Sequence, residues 1–212
     1  MKLPPISFWI LTGLFFTSCI SVDTKPIAAT SKKMLTIEKS EKLSQERLIR
    51  DLSRSTLLPG NIYEAIYVEA TLQSPSLAYR QLERKAQIEK WTDDRLAAKV
   101  EELMAYNRAN ICFNLLVKSN HELSKDEKNW QVSLLQDGSR QTLASLSFTE
   151  TSGDARVATT AFSHVRNDMK YFLESELCFG RSHVEIKELV LIVDPKYDEK
   201  AEAAALTWQF KK

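Results

Sequence analysis

The sequence predicts an α+β protein in which N-terminal helices are followed by an antiparallel β-sandwich. Two observations lead to this prediction. Apolar residues recur mainly at helical spacing over positions 41–108, whereas over positions 109–212 they alternate with a period of two, as in half-buried strands. With 43% hydrophobic residues among its 212, the chain can bury one core, and we expect helices and sandwich to pack as one domain.

The helical section begins with a short, half-polar helix between Glu41 and Ser55. A Pro-Gly turn at positions 59 and 60 follows it. Residues 62–72 fit both helical and strand spacing, and we favour a strand for them.

Two helices are expected between Ser76 and Arg108, divided at Thr92. The Thr92 hydroxyl can accept a hydrogen bond from the free backbone N–H groups of a new first turn, and Asp93 and Asp94 suit the positive end of that helix dipole. Helices that lead directly into strands normally bury their apolar side on the same domain, so we expect the apolar residues of both helices to be core.

Six or seven strands are expected after Arg108, with Asp137-Gly138 as a hairpin turn between two of them. Residues 189–193 are apolar on both faces, which indicates a central strand. We expect the helices to come before the strands, and this order favours an immunoglobulin-like or jelly-roll-like sandwich. The expected strands are Ile111–Val117, Trp130–Leu134, Leu143–Phe148, Val157–Val165, Lys170–Phe179, Val184–Val193 and Ala204–Phe210.

Residues 1–18 have the layout of an export signal. Lys2 precedes an uncharged apolar run that ends at Phe16, and the small residues Thr17 and Ser18 lead directly into Cys19. The apolar run is well short of the roughly 20 residues that span a bilayer. We therefore expect a removable signal rather than a permanent membrane helix.

The end of this segment resembles the lipobox of bacterial lipoproteins, in the small Ser18 and in Cys19 itself, although Phe16 replaces the usual leucine. The resemblance implies that Cys19 is acylated and becomes the mature amino terminus, with each buried methylene of the acyl chains contributing about 0.8 kcal/mol to membrane binding. An ordinary secretory signal that contains a cysteine is the alternative.

Residues 19–40 are small and polar, with no periodic apolar face, and are expected to be a flexible tether. The residue after the cysteine is Ile20 and not the aspartate that resembles an inner-membrane retention signal. This difference favours an outer-membrane location in the bacterial cell envelope.

The charge balance bears on possible partners. Residues 1–18 contain one of the 29 basic residues and none of the 28 acidic residues, so the mature chain is formally neutral. Proteins that bind nucleic acid generally need a basic patch to displace counterions. We therefore do not expect nucleic acid as a partner.

Cys112 and Cys178 form an even pair of cysteines in a compartment that usually oxidises thiols. Both are expected on the more polar face of their strands. A disulfide between neighbouring strands and two separate thiols are equally compatible with the sequence.

No catalytic or metal-binding motif is present. None of His121, His164 and His183 lies at the spacing that brings two zinc ligands together locally, and no Gly-x-Ser-x-Gly elbow occurs. Five glycines in the whole chain leave no glycine-rich phosphate loop, and residues 121–129 lack the alternation and central glycine of a calcium loop. We expect no catalytic residue, no metal and no cofactor.

Two functions remain open. One is a non-catalytic binding or structural module of the envelope, whose partner is an envelope protein or glycan. Trp91, Trp130 and Tyr197 are its candidate contact aromatics, although each also suits a core. The other is an envelope hydrolase with a site assembled from distant residues such as His164, Asp168 and Glu176.

Overall fold

The computed structural model describes residues 27–30, 35–37, 44–58, 66–143, 146–150, 169, 171–196 and 202–211. The expected signal, Cys19 and the expected strand over 157–165 lie outside these residues. The helices are α1 (Gln45–Leu52), α2 (Pro75–Glu89) and α3 (Asp93–Ala109), with a 3-10 turn at Glu127–Asn129. The strands are β1 (Ile27–Thr30), β2 (Ser53–Leu58), β3 (Ile66–Gln73), β4 (Asn110–Ser119), β5 (Trp130–Gln136), β6 (Ser139–Thr142), β7 (Thr149–Glu150), β8 (Tyr171–Gly180), β9 (Glu188–Pro195) and β10 (Ala204–Lys211).

The strands form two sheets, which we name after their central strands. The β4 sheet has the order β2-β3-β4-β8-β7, and the β9 sheet has the order β1-β10-β9-β5-β6. Neighbouring strands are antiparallel except for β1, which runs parallel to β10. Apolar side chains of both sheets share one core, where the ring centroids of Phe113 and Trp208 are 4.9 Å apart. A mixed fold with an antiparallel β-sandwich is thus confirmed.

The β5–β6 hairpin confirms the expected Asp-Gly turn. Asp137 and Gly138 both have positive φ, 47° and 89°, as a tight two-residue hairpin loop requires. The Asp137 carboxylate accepts hydrogen bonds from the backbone N–H groups of Lys187 and Glu188, each at 2.9 Å. These bonds tie the turn to the start of β9.

Residues 189–193 lie in β9 at the centre of its sheet, as expected. The expected strand over 184–193 begins too early, because residues 184–187 form the loop that the Asp137 turn holds. The expected strand over 143–148 is wrong for the residues that the structure describes there, since β6 ends at Thr142.

Positions 41–108 contain two strands as well as helices, so the expectation that the helices precede the strands is wrong. The strand favoured within 62–72 is confirmed by β3, but the first helix ends at Leu52 instead of Ser55. The helix ends there because the next residue, Ser53, begins the pairing of β2 with β3. The buried hydroxyls of Ser53 and its partner Thr71 are 2.7 Å apart.

The two expected helices are confirmed as a helical hairpin, α2–α3. Lys90 ends α2 in the left-handed conformation, and the Thr92 hydroxyl accepts a hydrogen bond from the backbone N–H of Arg95 at 3.3 Å. The hairpin connects β3 to β4, which are direct neighbours in the sheet. It is therefore an insertion at one end of the β4 sheet. None of the described helices combines the length and the apolar character that a membrane crossing requires.

Candidate ligand-binding groove

The helical hairpin contributes little to the core. Leu77 is its one member of the core cluster, and Asn107 is the one buried residue of α3. The expectation that the apolar residues of both helices are core is therefore wrong for most of them, and Leu82 and Leu103 are half-buried. The hairpin packs instead across the face of the β4 sheet that is turned away from the core, which we call the outer face.

A groove lies between the helical hairpin and the outer face of the β4 sheet. Its volume is about 620 Å³, within the range of roughly 300–1,000 Å³ that is common for ligand sites. Both helices line it with residues three and four positions apart, which helical geometry places on one face. These residues are Ala78, Gln81, Leu82 and Lys85 on α2, and Lys99, Glu102, Leu103, Tyr106 and Asn107 on α3.

The floor of the groove is formed by the inner strands of the β4 sheet. Gln73 at the end of β3 lies opposite Cys112 on β4, and Asn114 on β4 lies opposite Glu176 on β8. Alternate residues of β4, such as Phe113, point into the core. Strand alternation thus places polar side chains in the groove.

Cys112 and Cys178 are joined in a disulfide at the floor of the groove. They are directly opposite in the β4–β8 register, and their Cα atoms are 4.1 Å apart. Of the two possibilities that the sequence left open, the structure has the bridge. Donor atoms of Glu176 and both cysteines lie within 4.8 Å of one another, but sulfurs joined in a disulfide are not the thiolates that bind metals.

The groove has no strong charge of either sign. Lys99 Nζ lies 2.5 Å from Glu102 Oε2, and Lys85 Nζ lies 3.8 Å from Glu89 Oε1 outside the groove. The remaining lining carboxylate, Glu176, is exposed. Neighbouring carboxylates therefore offset the charge of both lining lysines.

Carboxamides are the most frequent polar groups of the described lining: Gln73, Gln81, Asn107 and Asn114. The Nε2 atom of Gln73 is buried and has no hydrogen-bond partner among the described residues. Leaving a buried donor unpaired costs about 1–3 kcal/mol. A ligand oxygen at this place would remove that cost.

Apolar surface accompanies these amides. The Tyr106 side chain is 50% exposed, and the half-buried Leu82 and Leu103 lie between the two helices' polar residues. The groove therefore combines an apolar surface with several converging polar groups, the usual composition of a ligand site.

A second polar cluster on the outer face is closed. Tyr67, Glu69 and Lys118 are buried, and the Tyr67 hydroxyl donates to Glu69 Oε2 at 3.3 Å. Lys118 Nζ lies 5.4 Å from the Tyr67 ring centroid. Burial first, and then the negative charge of Glu69, raise the pKa of Tyr67. The phenol stays protonated and donates within the sheet, so we regard this cluster as structural.

His121 and His183 are exposed and do not belong to the described lining of the groove, whereas Glu176 does. His164, Asp168 and Tyr197 lie outside the described residues, so the structure does not test a site made of His164, Asp168 and Glu176.

The two described tryptophans among the contact candidates differ. Trp130 is buried, and its Nε1 donates to the Ser124 carbonyl at 2.7 Å, so it belongs to the core. Trp91 is half-buried at the tip of the helical hairpin, with the Arg95 guanidinium carbon 4.3 Å from its ring centroid. Neither lines the groove.

Sequence reasoning missed the amide residues of the groove. A signal was present, because Asn114 alternates with core residues of β4, and Gln81 lies three and four positions from Ala78 and Lys85 on one face of α2. What the sequence does not contain is the angle at which the helical hairpin crosses the sheet.

Comparisons of the chain with models of protein families, with curated proteins and with solved structures find no match. The groove and its chemistry are therefore the basis for a functional proposal.

Proposed function

We propose that the chain is a non-catalytic binding module of the bacterial cell envelope, anchored to the membrane through acylated Cys19, and that it binds an envelope component in the groove. The observation that carries the binding role is the groove of about 620 Å³ between the helical hairpin and the β4 sheet. Two helices and three strands direct polar side chains into it around an apolar surface, as in most ligand sites.

The proposed anchor is supported by the layout of residues 1–18 and by the cysteine that follows. The flexible tether expected over residues 19–40 is wrong for the part that the structure describes, because Ile27–Thr30 form β1 beside β10 and the Thr36 carbonyl accepts a hydrogen bond from Ser76. Eight residues, 19–26, therefore separate the proposed anchor from the first described strand. The outer membrane is the favoured location, and an envelope protein or glycan is the expected partner.

For the sandwich we propose an immunoglobulin-like or jelly-roll-like type. Support comes from two facing five-stranded sheets whose inner strands are all antiparallel. Folds of this kind commonly present loops and surface insertions for recognition. The helical hairpin between β3 and β4 is such an insertion.

A binding role is favoured over hydrolysis because of the acid–base groups in the groove. Among the described lining residues the carboxylates are Glu102, which Lys99 contacts at 2.5 Å, and Glu176. Hydrolysis by carboxylates needs two of them in complementary roles, or a nucleophile with a base. Of the two lining carboxylates, Glu102 is paired with Lys99, which leaves Glu176 for such a role.

The binding site can be tested by photo-crosslinking in cells. A photoreactive phenylalanine analogue at Tyr106, on the groove, is compared with the same analogue at Tyr171, which is 38% exposed at the far end of β8. We expect a specific adduct from position 106 and none from position 171. Equal labelling at both positions, or no adduct at 106, would reject the groove as the binding site.

The anchor is tested separately. Metabolic labelling with palmitate should mark the wild-type chain and leave Cys19→Ser unlabelled in a soluble fraction. Membrane retention of Cys19→Ser without label would contradict the lipoprotein assignment and favour another mode of attachment.

A further inference from the structure

We propose that the ligand of the groove is an uncharged glycan, recognised through its hydroxyl and acetamido groups. This inference rests on the proposed function of the groove as a binding site and adds the chemical class of the ligand. It follows from four properties of the groove: its charge, its amides, its apolar surface and the hydrogen-bonded strands that form its floor.

The charge balance of the groove favours a ligand without net charge. Two lysines and two glutamates line it, and Lys99 and Glu102 are only 2.5 Å apart. Lys85 has a further carboxylate beside it, Glu89 at 3.8 Å. An anionic ligand would have to compete with these carboxylates for both lysines, and a cationic ligand would find one isolated carboxylate, Glu176.

The amides of the groove match the hydrogen-bonding groups of a sugar. Each carboxamide carries an N–H donor and a C=O acceptor on adjacent atoms. Neighbouring hydroxyl and acetamido groups of a sugar present the same alternation of donors and acceptors. Gln73, Gln81 and Asn114 bring such groups from β3, α2 and β4 to one groove, whereas the Asn107 Nδ2 atom already donates to the Leu103 carbonyl at 2.9 Å.

Gln73 gives this match a specific position. The Gln73 side chain lines the groove, and its Nε2 donor is buried without a hydrogen-bond partner among the described residues. An acceptor oxygen of the ligand, from a hydroxyl or an acetamido carbonyl, satisfies this donor.

The apolar part of the groove suits the C–H face of a pyranose ring. Tyr106 is 50% exposed and presents an aromatic face beside Leu82 and Leu103. Aromatic side chains combine a large apolar surface with a polar group at one end. Amides around such a surface complement a sugar, which has an apolar face and a polar rim.

The strands that form the floor of the groove have no free edge, which argues against an extended peptide as the ligand. Peptides commonly bind to a β-sheet by adding a strand to a free edge. The strands under the groove, β3, β4 and β8, each have a hydrogen-bonded neighbour on both sides, and the described edges of this sheet are β2 and β7. Recognition in the groove therefore depends on side chains, as in glycan binding.

The test uses the full chain purified in detergent and three probes: the tetramer of N-acetylglucosamine, cellotetraose, which lacks acetamido groups, and tetra-alanine. Calorimetry or NMR titration measures each dissociation constant. We expect binding of the N-acetylglucosamine tetramer, weaker binding of cellotetraose and no binding of tetra-alanine.

Three variants connect this binding to the groove. Gln73→Ala and Gln81→Ala should weaken binding of the N-acetylglucosamine tetramer about tenfold, equivalent to about 1.4 kcal/mol. Gln87→Ala is the matched control, because Gln87 is exposed on the same helix and is not part of the described lining. It should leave the dissociation constant within twofold.

The outcomes separate the two proposals. Binding of tetra-alanine but of neither glycan overturns the ligand class, and equal binding of both glycans overturns acetamido recognition. No glycan binding together with a specific crosslink at Tyr106 overturns the glycan alone. Failure of both the titrations and the crosslink overturns the binding function as well.

Discussion

Cys112 and Cys178 face each other across β4 and β8, with their Cα atoms 4.1 Å apart, and their disulfide lies in the floor of the groove. The same two strands contribute Asn114 and Glu176 to the groove. The bridge therefore joins the two strands that carry one side of the proposed site, at the end where the helical hairpin meets the sheet.

The bridge is predicted to make a large contribution to stability. It closes a loop between residues 66 positions apart, and a loop of that size is worth about 4 kcal/mol in the chain-entropy model. The double variant Cys112→Ala/Cys178→Ala should lose about this much free energy of unfolding in urea titrations. Reduced wild type is the control and should unfold like the double variant. Identical midpoints with and without reductant would argue against the bridge, and mass spectrometry would check it directly.

Trp208 is predicted to support both the core and the end of α1. Its side chain is fully buried, and its Nε1 donates to the carbonyl of Leu52, the last residue of α1, at 2.6 Å. Trp208→Phe keeps most of the packing but removes this donor, which should cost about 1–3 kcal/mol. Trp91→Phe at the hairpin tip should change stability by less than about 0.5 kcal/mol. Thermal unfolding of both variants measures the difference, and equal losses would contradict the role of the Leu52 hydrogen bond.

Gly138 provides a prediction about backbone conformation alone. It has a φ of 89°, and a Cβ atom placed there meets nothing within 4 Å. Gly138→Ala should therefore cost about 1–2 kcal/mol from the left-handed backbone rather than from a clash. Gly180→Ala is the matched control. Gly180 also has no neighbour within 4 Å of an added Cβ, but its φ does not lie in the left-handed region. Urea unfolding should show a loss for position 138 and little change for position 180; the reverse order would contradict this explanation.

Local signals in the sequence account for much of the fold. The Thr92 cap and the Asp137-Gly138 turn act within a few residues, so their structures follow from side-chain chemistry and backbone preference. The end of α1 at Leu52 was harder to predict from the sequence. Ser53 begins β2 because it pairs with Thr71 on β3, which is 18 positions away.

The groove was the least predictable part for the same reason. Leu82 and Leu103 have the spacing of core residues, yet they line an open groove because the helical hairpin lies on the outer face of a sheet that already buries its other face. Periodicity identifies which side of a helix is apolar, but it does not identify what that side packs against. The amides of Gln73 and Asn114 become recognisable as a site only once the hairpin is placed over them.

The raised pKa of Tyr67 predicts that the folded protein loses stability in alkaline solution. Burial and the Glu69 carboxylate raise its pKa in the folded protein, whereas an unfolded tyrosine loses its proton near pH 10. Above about pH 10 the folded state keeps a proton that the unfolded state releases, so the free energy of unfolding should fall as the pH rises. Below pH 10 both states keep the proton and this dependence disappears. Urea titrations between pH 8 and pH 11 measure the slope, which should be smaller in Tyr67→Phe and unchanged in the control Tyr171→Phe, whose side chain is 38% exposed. An equally steep alkaline slope in Tyr67→Phe would show that another group is responsible.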